Sequence, residues 1–207
     1  MIKCITVVDG RADLDALLGQ APRAAHPARL ALCTVRNPRD IPAFALSWHA
    51  DRVAVESFFD GRPTTVVEER IARGKAWLAD RWKTRRDQPT LLLIGFIQRA
   101  AQMSRQEFGS YWWDRHRPLA DSLVPEHLNP SAYVHNYVAP DSPSRWDGIG
   151  ELYEQSLQVA RQRGEWFLSD AATALVDDEK RFMNRATRDL VVTDHDVLIA
   201  DTEDDRA

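Results

Sequence analysis

Short apolar and β-branched runs alternate along the chain with segments whose apolar residues recur every three to four positions. The runs predict strands and the spaced positions predict helices, because the two elements have different side-chain periods. In the second half this gives strands at residues 90–97, 131–138, 149–154 and 190–199, a helix from Ser104, and a mostly helical stretch over 156–187. Ser104 and Glu107 form a predicted capping box. The order is β-α-β-β-α-β, the ferredoxin-like arrangement.

The first half shows a similar but weaker pattern. It predicts strands at 2–8, 28–35 and 43–48 and helices at 12–18, from 51, and at about 65–82, with no clear fourth strand. Residues 44–51 can be aligned with 149–156, which favours an internal repeat. We therefore expect two ferredoxin-like halves, residues 1–88 and 89–200, fused into a pseudo-dimeric α+β barrel with their sheets face to face, and a flexible tail at 201–207. The alternative is one elaborated α+β domain.

Composition narrows the possible partners. The 207 residues are 44% hydrophobic and 28% charged with a net charge of −4, so the chain has the composition of a soluble globular protein and nucleic acid is excluded as an expected partner. No apolar run reaches the ~20 residues that span a bilayer, and the N-terminus lacks a signal-peptide pattern, which favours a cytoplasmic protein without membrane contact. Cys4 and Cys33 lie in apolar runs and are expected to be reduced core residues, and no Cys/His spacing predicts a metal site.

His116 is the leading candidate for chemistry. It follows Trp112 by four residues and precedes Leu119 by three, so it lies on the apolar stripe of the helix that begins at Ser104. Pro118 lies within this pattern and should kink or break the helix, since it lacks an N–H donor and clashes with a preceding carbonyl. An imidazole aimed at the interior is either a hydrogen-bonded core residue or an acid/base catalyst.

Several polar residues in the neighbouring strands could assist. Tyr133 and His135 alternate to one side of their strand and Asn136 to the other, and either set could face a pocket. A Tyr or Asn there could donate to a developing enolate oxygen. Asp147 either caps a turn or orients His116, and Glu151 is either a second acid or a surface residue.

Four segments, taken together, resemble a known family. Residues 111–119 resemble the EthD-domain signature, an aromatic helix that ends in His-x-Pro-Leu, and residues 146–153, 178–182 and 193–197 are similar to its later motifs in the same order. The resemblance implies a dimeric α+β barrel. That superfamily includes polyketide cyclases, a muconolactone methylisomerase and fungal decarboxylases, which work without cofactors in a pocket between helices and sheet. A fused tandem would make one chain play both subunits.

The leading hypothesis is a cofactor-independent lyase or isomerase that acts on an aromatic or polyketide-like small molecule. Its expected catalytic residues are His116, Asp147 and Tyr133. The expected substrate-binding residues are Trp112, Tyr111, Phe108, Asn136, Glu151 and His135. Two alternatives remain: an accessory component of an oxygenase or degradation pathway, which the gene context of the founding EthD proteins would suggest, and a non-catalytic carrier of an apolar ligand. A homodimer of fused chains is compatible with all three.

Overall fold

Eight strands close into one antiparallel barrel in the computed structural model, which describes residues 1–36, 38, 41–83, 90–187 and 189–200. The strands are β1 (Ile2–Val8), β2 (Arg29–Val35), β3 (Ala43–His49), β4 (Thr64–Arg73), β5 (Thr90–Ile97), β6 (Ala132–Val138), β7 (Gly148–Tyr153) and β8 (Asp189–Ile199). Their order around the barrel is β1-β3-β2-β8-β5-β7-β6-β4, and β4 pairs with β1 to close it. The fold is therefore a mixed α and β structure with a closed barrel.

Helices connect the strands. They are α1 (Arg11–Gln20), α2 (Arg52–Phe59), α3 (Lys75–Lys83), α4 (Arg105–Tyr111), α5 (Arg117–Leu123), α6 (Leu157–Phe167) and α7 (Thr173–Phe182). A π-helical turn, Trp112–His116, joins α4 to α5, and a short 3-10 turn, Asp170–Ala172, joins α6 to α7 at the predicted break.

The prediction of a helix over residues 65–82 was wrong for its first part. Residues Thr64–Arg73 form β4, the fourth strand that the pattern did not reveal, and only Lys75–Lys83 are helical. Two threonines and two valines open this segment, and β-branched side chains favour a strand. Gly74 has a φ of 74°, a left-handed conformation that separates the strand from α3.

The two halves of the chain join edge to edge. β2 pairs with β8 and β4 pairs with β6, so two four-stranded segments make one barrel, whereas the sequence suggested two sheets packed face to face. The expected boundary between residues 88 and 89 falls in the segment 84–89, and the expected tail is 201–207. Residues 84–89 and 201–207 lie outside the described residues, and β5 begins at Thr90.

A polar cluster occupies the middle of the barrel interior. Lys3 Nζ lies 2.5 Å from Glu69 Oε2 and 2.7 Å from Glu151 Oε1. Asn136 and Tyr153 donate to the Glu151 carboxylate at 2.8 and 3.0 Å. Burial alone would lower the pKa of Lys3, but the two carboxylates outweigh burial and raise it. Asn136 and Glu151 are thus structural neighbours inside the barrel.

Three further expectations concern sites and partners. Cys4 and Cys33 are buried free thiols, as predicted. No group of three or more His, Cys, Asp or Glu side chains in the described ranges is placed to hold a metal ion. Within those same ranges, the helices are all too short or too polar to cross a bilayer.

Candidate functional site

The π-helical turn places His116. Ser104 caps α4 through the predicted capping box, in which Ser104 Oγ accepts from the Glu107 amide and the Glu107 carboxylate accepts from the Ser104 amide. At the other end Pro118 lacks an N–H donor, and the Arg117 amide donates to the Trp112 carbonyl five residues earlier. The helix widens by one residue instead of breaking, so the predicted irregularity is confirmed as a π-turn that ends at His116.

His116 is held by a carboxylate from the far end of the second half. The imidazole is 7% exposed, and its Nδ1 lies 2.9 Å from Asp178 Oδ2 on α7. The Tyr111 hydroxyl donates to Asp178 Oδ1 at 2.6 Å, and this hydrogen bond is the main cause that raises the pKa of Tyr111. The Phe182 ring packs 4.8 Å from the imidazole. The ring of His116 is therefore fixed in position and orientation.

These contacts define which imidazole nitrogen can react. Both oxygens of an ionised Asp178 accept hydrogen bonds, so the network is satisfied when the His116 proton is on Nδ1. The lone pair is then on Nε2, the nitrogen that Asp178 does not hold. His116 also lines a cavity. The arrangement is an Asp–His pair of the kind used for general acid/base catalysis.

The cavity lies between the outer face of the barrel and the helices of the second half, and its volume is about 390 Å³. Gly95 and Gly150 leave room on the strand side, since neither places a side chain in the space. The rest of the wall is mainly aliphatic and aromatic, and includes Leu93, Ile97, Trp112, Ala120, Val124, Tyr133, Leu152, Phe167 and Leu175. Such a wall suits a flat apolar molecule.

The structure distinguishes the two faces of β6. Tyr133 lines the cavity, and the buried His135 stacks on Trp112 with ring centroids 4.0 Å apart, so this set faces the helices. Asn136 points into the barrel instead. Burial is the main cause that lowers the pKa of His135 well below its usual value, which keeps this imidazole neutral beneath Trp112. His135 thus supports the cavity wall from behind.

Some of the other predicted residues lie away from the cavity. Asp147 accepts from the Arg99 amide at 2.9 Å and pairs with Arg99 Nη1 at 2.7 Å and Arg105 Nε at 2.8 Å. It does not contact His116, and it anchors the loop that leads into β7. Phe108 is fully buried against Trp112 and does not line the cavity. Glu151 is neither at the surface nor at the site, since it belongs to the barrel interior.

Two carboxylates of α7 were not singled out by the sequence pattern as site residues. Asp178 holds His116, while the buried Glu179 lines the cavity and pairs with Arg185 at 3.1 Å. Both lie between Leu175 and Phe182, which are fully buried on the apolar face of the helix. Acidic residues on an apolar helix face are costly unless they are paired, and that is the signal that could have identified them.

The first half holds no equivalent arrangement among its described residues. The space between its helices and the barrel is packed by a cluster that includes Leu14, Leu17, Phe58 and Phe59. His49 is also buried there, where its ring nitrogens contact the Ala25 carbonyl and the Ser47 hydroxyl at 3.2 and 3.0 Å. The buried histidine–carboxylate pair and the cavity beside it thus belong to the second half.

Comparisons with known proteins agree with the resemblance for part of the chain. Residues 100–186 match the profile of the EthD domain family. This range contains His116, Tyr111, Asp178 and Glu179. No curated protein sequence matches the chain. Among solved structures, the fold is similar to that of a protein from Lactobacillus acidophilus NCFM described as a “putative monooxygenase”, with a TM-score of 0.50, 10% sequence identity, and coverage of 97% of this chain and 96% of the other. At this identity the likeness concerns the fold alone.

Proposed function

We propose that the protein is a cofactor-independent lyase or isomerase that moves a proton on an aromatic or polyketide-like small molecule. The observation that carries the proposal is the buried His116, whose Nδ1 is held by Asp178 while the imidazole lines an apolar cavity of about 390 Å³. An oriented imidazole beside an apolar space is the arrangement that general acid/base catalysis requires.

In the proposed reaction, His116 Nε2 takes a proton from a carbon next to a carbonyl group or from a phenol. The Asp178 carboxylate, 2.9 Å from Nδ1, stabilises the imidazolium that forms. Tyr111 holds the second Asp178 oxygen and so keeps the carboxylate in place. The imidazolium then returns the proton. Return to a different carbon completes an isomerisation, and return to a hydroxyl group that leaves as water completes a dehydration. In an aldol-type cyclisation the new carbanion attacks a second carbonyl carbon and the proton goes to the alkoxide that forms, and in a decarboxylation the C–C bond to the carboxylate breaks, CO2 departs and the proton goes to the carbanion left behind.

Tyr133 and Glu179 are proposed to assist His116, the first as a hydrogen-bond donor and the second as a proton-transfer group. The Tyr133 hydroxyl is 3.8 Å from the position that a Cβ on Gly150 would occupy, so it borders the same part of the cavity and could donate to a developing enolate oxygen. Glu179 offers a second proton-transfer group in the wall of the same cavity, next to Arg185. Asp147 is not part of this proposed set, because its oxygens are used by Arg99 and Arg105.

We also propose that the fold is two fused ferredoxin-like halves that together act as a pseudo-dimer. Each half has the order β-α-β-β-α-β. The strand orders β4-β1-β3-β2 and β8-β5-β7-β6 follow the same pattern within the barrel. In the first half, apolar side chains fill the space between the helices and the barrel. This packing supports the view that the first half is a degenerate partner and that only the second half carries a site.

The test is incubation of the protein with a panel of aromatic and polyketide-like compounds, with substrate consumption followed by mass spectrometry. Wild type should convert at least one compound, and His116→Gln should slow conversion by about 10²–10⁴-fold, the usual contribution of a general acid/base. Ligand binding by His116→Gln should persist. Tight binding without conversion by wild type would instead support a carrier.

A second candidate is an oxygen-dependent reaction, which the description of the Lactobacillus protein favours. The same incubations in air and under nitrogen separate the two. Equal conversion without oxygen supports the lyase or isomerase. Conversion that stops under nitrogen, with oxygen consumed in air, supports an oxygenase in which His116 only deprotonates the substrate.

A further inference from the structure

Two arginines share one carboxylate at the rim of the His116 cavity. Arg73 Nη2 donates to Asp121 Oδ1 at 2.7 Å, and Arg117 Nη1 lies 3.6 Å from Asp121 Oδ2. All three residues line the cavity, and each side chain is about one third exposed. Arg73 ends β4 in the first half, whereas Arg117 and Asp121 lie one turn apart on α5. The rim is therefore built from both halves of the chain.

The charges at this rim do not balance. The other two cations of the cavity wall each have a carboxylate partner, because Arg163 pairs with the buried Glu154 and Arg185 pairs with Glu179. At the rim, two guanidinium groups face the single negative charge of Asp121. One positive charge in excess, on side chains about two thirds shielded from water, favours an anionic ligand.

Arg117 is held in a fixed orientation. Its Nε donates to the Trp113 carbonyl at 3.3 Å, and its guanidinium lies 4.7 Å from the centre of the Trp113 ring. The residue also follows His116 directly in the chain. A ligand anchored at Arg117 therefore has its body near the His116 imidazole, since both residues line the same cavity.

We propose that Arg73 and Arg117 form a carboxylate-binding site that selects substrates with a carboxylate group, and that Asp121 occupies this site in the absence of substrate. A guanidinium pair matches a carboxylate by two-point hydrogen bonding. When the substrate carboxylate enters, it takes over hydrogen bonds that Asp121 makes. The proposal names the substrate class for the function proposed above, but binding can be measured without turnover.

The experiment is isothermal titration calorimetry with matched pairs of aromatic carboxylic acids and their primary amides, for example 2-naphthoate and 2-naphthamide. Wild type should bind acids more tightly than amides. Arg73→Gln and Arg117→Gln should each weaken acid binding about tenfold, the loss expected for a charged hydrogen bond, and leave amide binding nearly unchanged. Arg36→Gln is the matched control, because Arg36 pairs with Asp194 at a surface outside the cavity wall.

Asp121→Asn should change the affinity for acids in the opposite direction from the arginine variants. Removal of the competing charge should tighten acid binding by about threefold to tenfold, whereas a merely structural Asp121 would weaken acid and amide alike when replaced. No preference for acids in wild type, including no binding at all, or equal effects of the arginine variants on acids and amides, would overturn the proposal. Repeating the titrations with His116→Gln separates the two proposals, since the acid preference should survive even if His116 proves to have no catalytic role.

Discussion

His116 Nδ1 and Asp178 Oδ2 lie 2.9 Å apart although the two residues are 62 positions apart in the sequence. One sits at the end of a π-turn and the other on the apolar face of α7. The pair exists because the fold brings α7 against the π-turn. The Asp178 carboxylate therefore determines which nitrogen of His116 carries the proton, and it can be replaced without changing His116 itself.

Asp178→Asn should abolish most activity without unfolding the protein. The amide would donate to Nδ1 and drive the His116 proton to Nε2, which removes the lone pair that the proposed reaction uses. We expect a loss of about 10²–10⁴-fold in turnover. The measurement is single-turnover conversion of the substrate found by screening.

Tyr111→Phe is the matched control for that variant. It removes the other hydrogen bond to Asp178 and keeps the ring stacked on Phe182. A stability loss of about 1 kcal/mol and less than a tenfold loss of turnover are expected. If both variants lose activity equally, Asp178 does not act by orienting His116.

Gly148→Ala should destabilise the protein and distort the site. A Cβ at this position would lie 2.6 Å from the Trp112 ring and 2.9 Å from the Phe108 ring, both fully buried. Overpacking of this kind typically costs about 1–3 kcal/mol. The measurement is chemical denaturation, with tryptophan fluorescence reporting the displacement of Trp112.

Gly150→Ala offers the comparison on the same strand. Its Cβ would be 3.5 Å from Tyr133, an ordinary contact, and would project into the cavity. This variant should keep its stability and lose ligand affinity. Equal stability losses in both variants would show that the strand tolerates no side chain at either position, contrary to the space around Gly150 in the structure.

Glu154→Gln should be strongly destabilising. Glu154 and Arg163 form a buried ion pair whose side chains are 0% and 7% exposed, and Arg163 also donates to the Leu128 carbonyl at 3.2 Å. Removal of one partner from a buried pair typically costs about 3–5 kcal/mol. Asp141→Asn makes the same chemical change in the exposed Arg52–Asp141 pair and should have no measurable effect on unfolding. A small effect at Glu154 would mean that water reaches Arg163.

Stability should fall as the pH drops below about 6.5. Burial lowers the pKa of His195 from 6.5 to about 3, and it also lowers the pKa of His49 and His135. The unfolded chain therefore takes up these protons at a higher pH than the folded chain does. For His195, the stabilisation is complete above pH 6.5 and is lost between pH 6.5 and 3, at up to about 1.4 kcal/mol per pH unit.

His195→Phe tests that assignment. Phenylalanine retains ring contacts with Trp82 and Tyr153 and cannot titrate. Urea denaturation at several pH values should give a shallower dependence of the free energy of unfolding on pH between 6.5 and 4, with the difference from wild type constant above pH 8. An unchanged slope would contradict the assignment to His195.

Most of the strands and the candidate histidine could be predicted from local sequence, but their partners could not. Residues 90–97 have an unbroken apolar run, and His116 lies on an amphipathic stripe, so both signals are short-range. β4 was missed because its charged residues Glu68, Glu69, Arg70 and Arg73 interrupt the alternation of apolar and polar positions that predicts a strand. The apolar face of α7 carried a local signal for Asp178, but its pairing with His116 and the position of Arg73 at the cavity depend on which elements the barrel brings together.

The two faces of β6 and β7 separate an ionic interior from the apolar cavity by the thickness of one sheet. Asn136 and Glu151 belong to the Lys3 network, while Tyr133 and Gly150, on the other face, shape the cavity. Because side chains alternate along a strand, substitutions at the cavity positions leave the interior positions in place. Substitutions that reshape the cavity for a different ligand can therefore leave the Lys3–Glu69 and Lys3–Glu151 ion pairs inside the barrel intact.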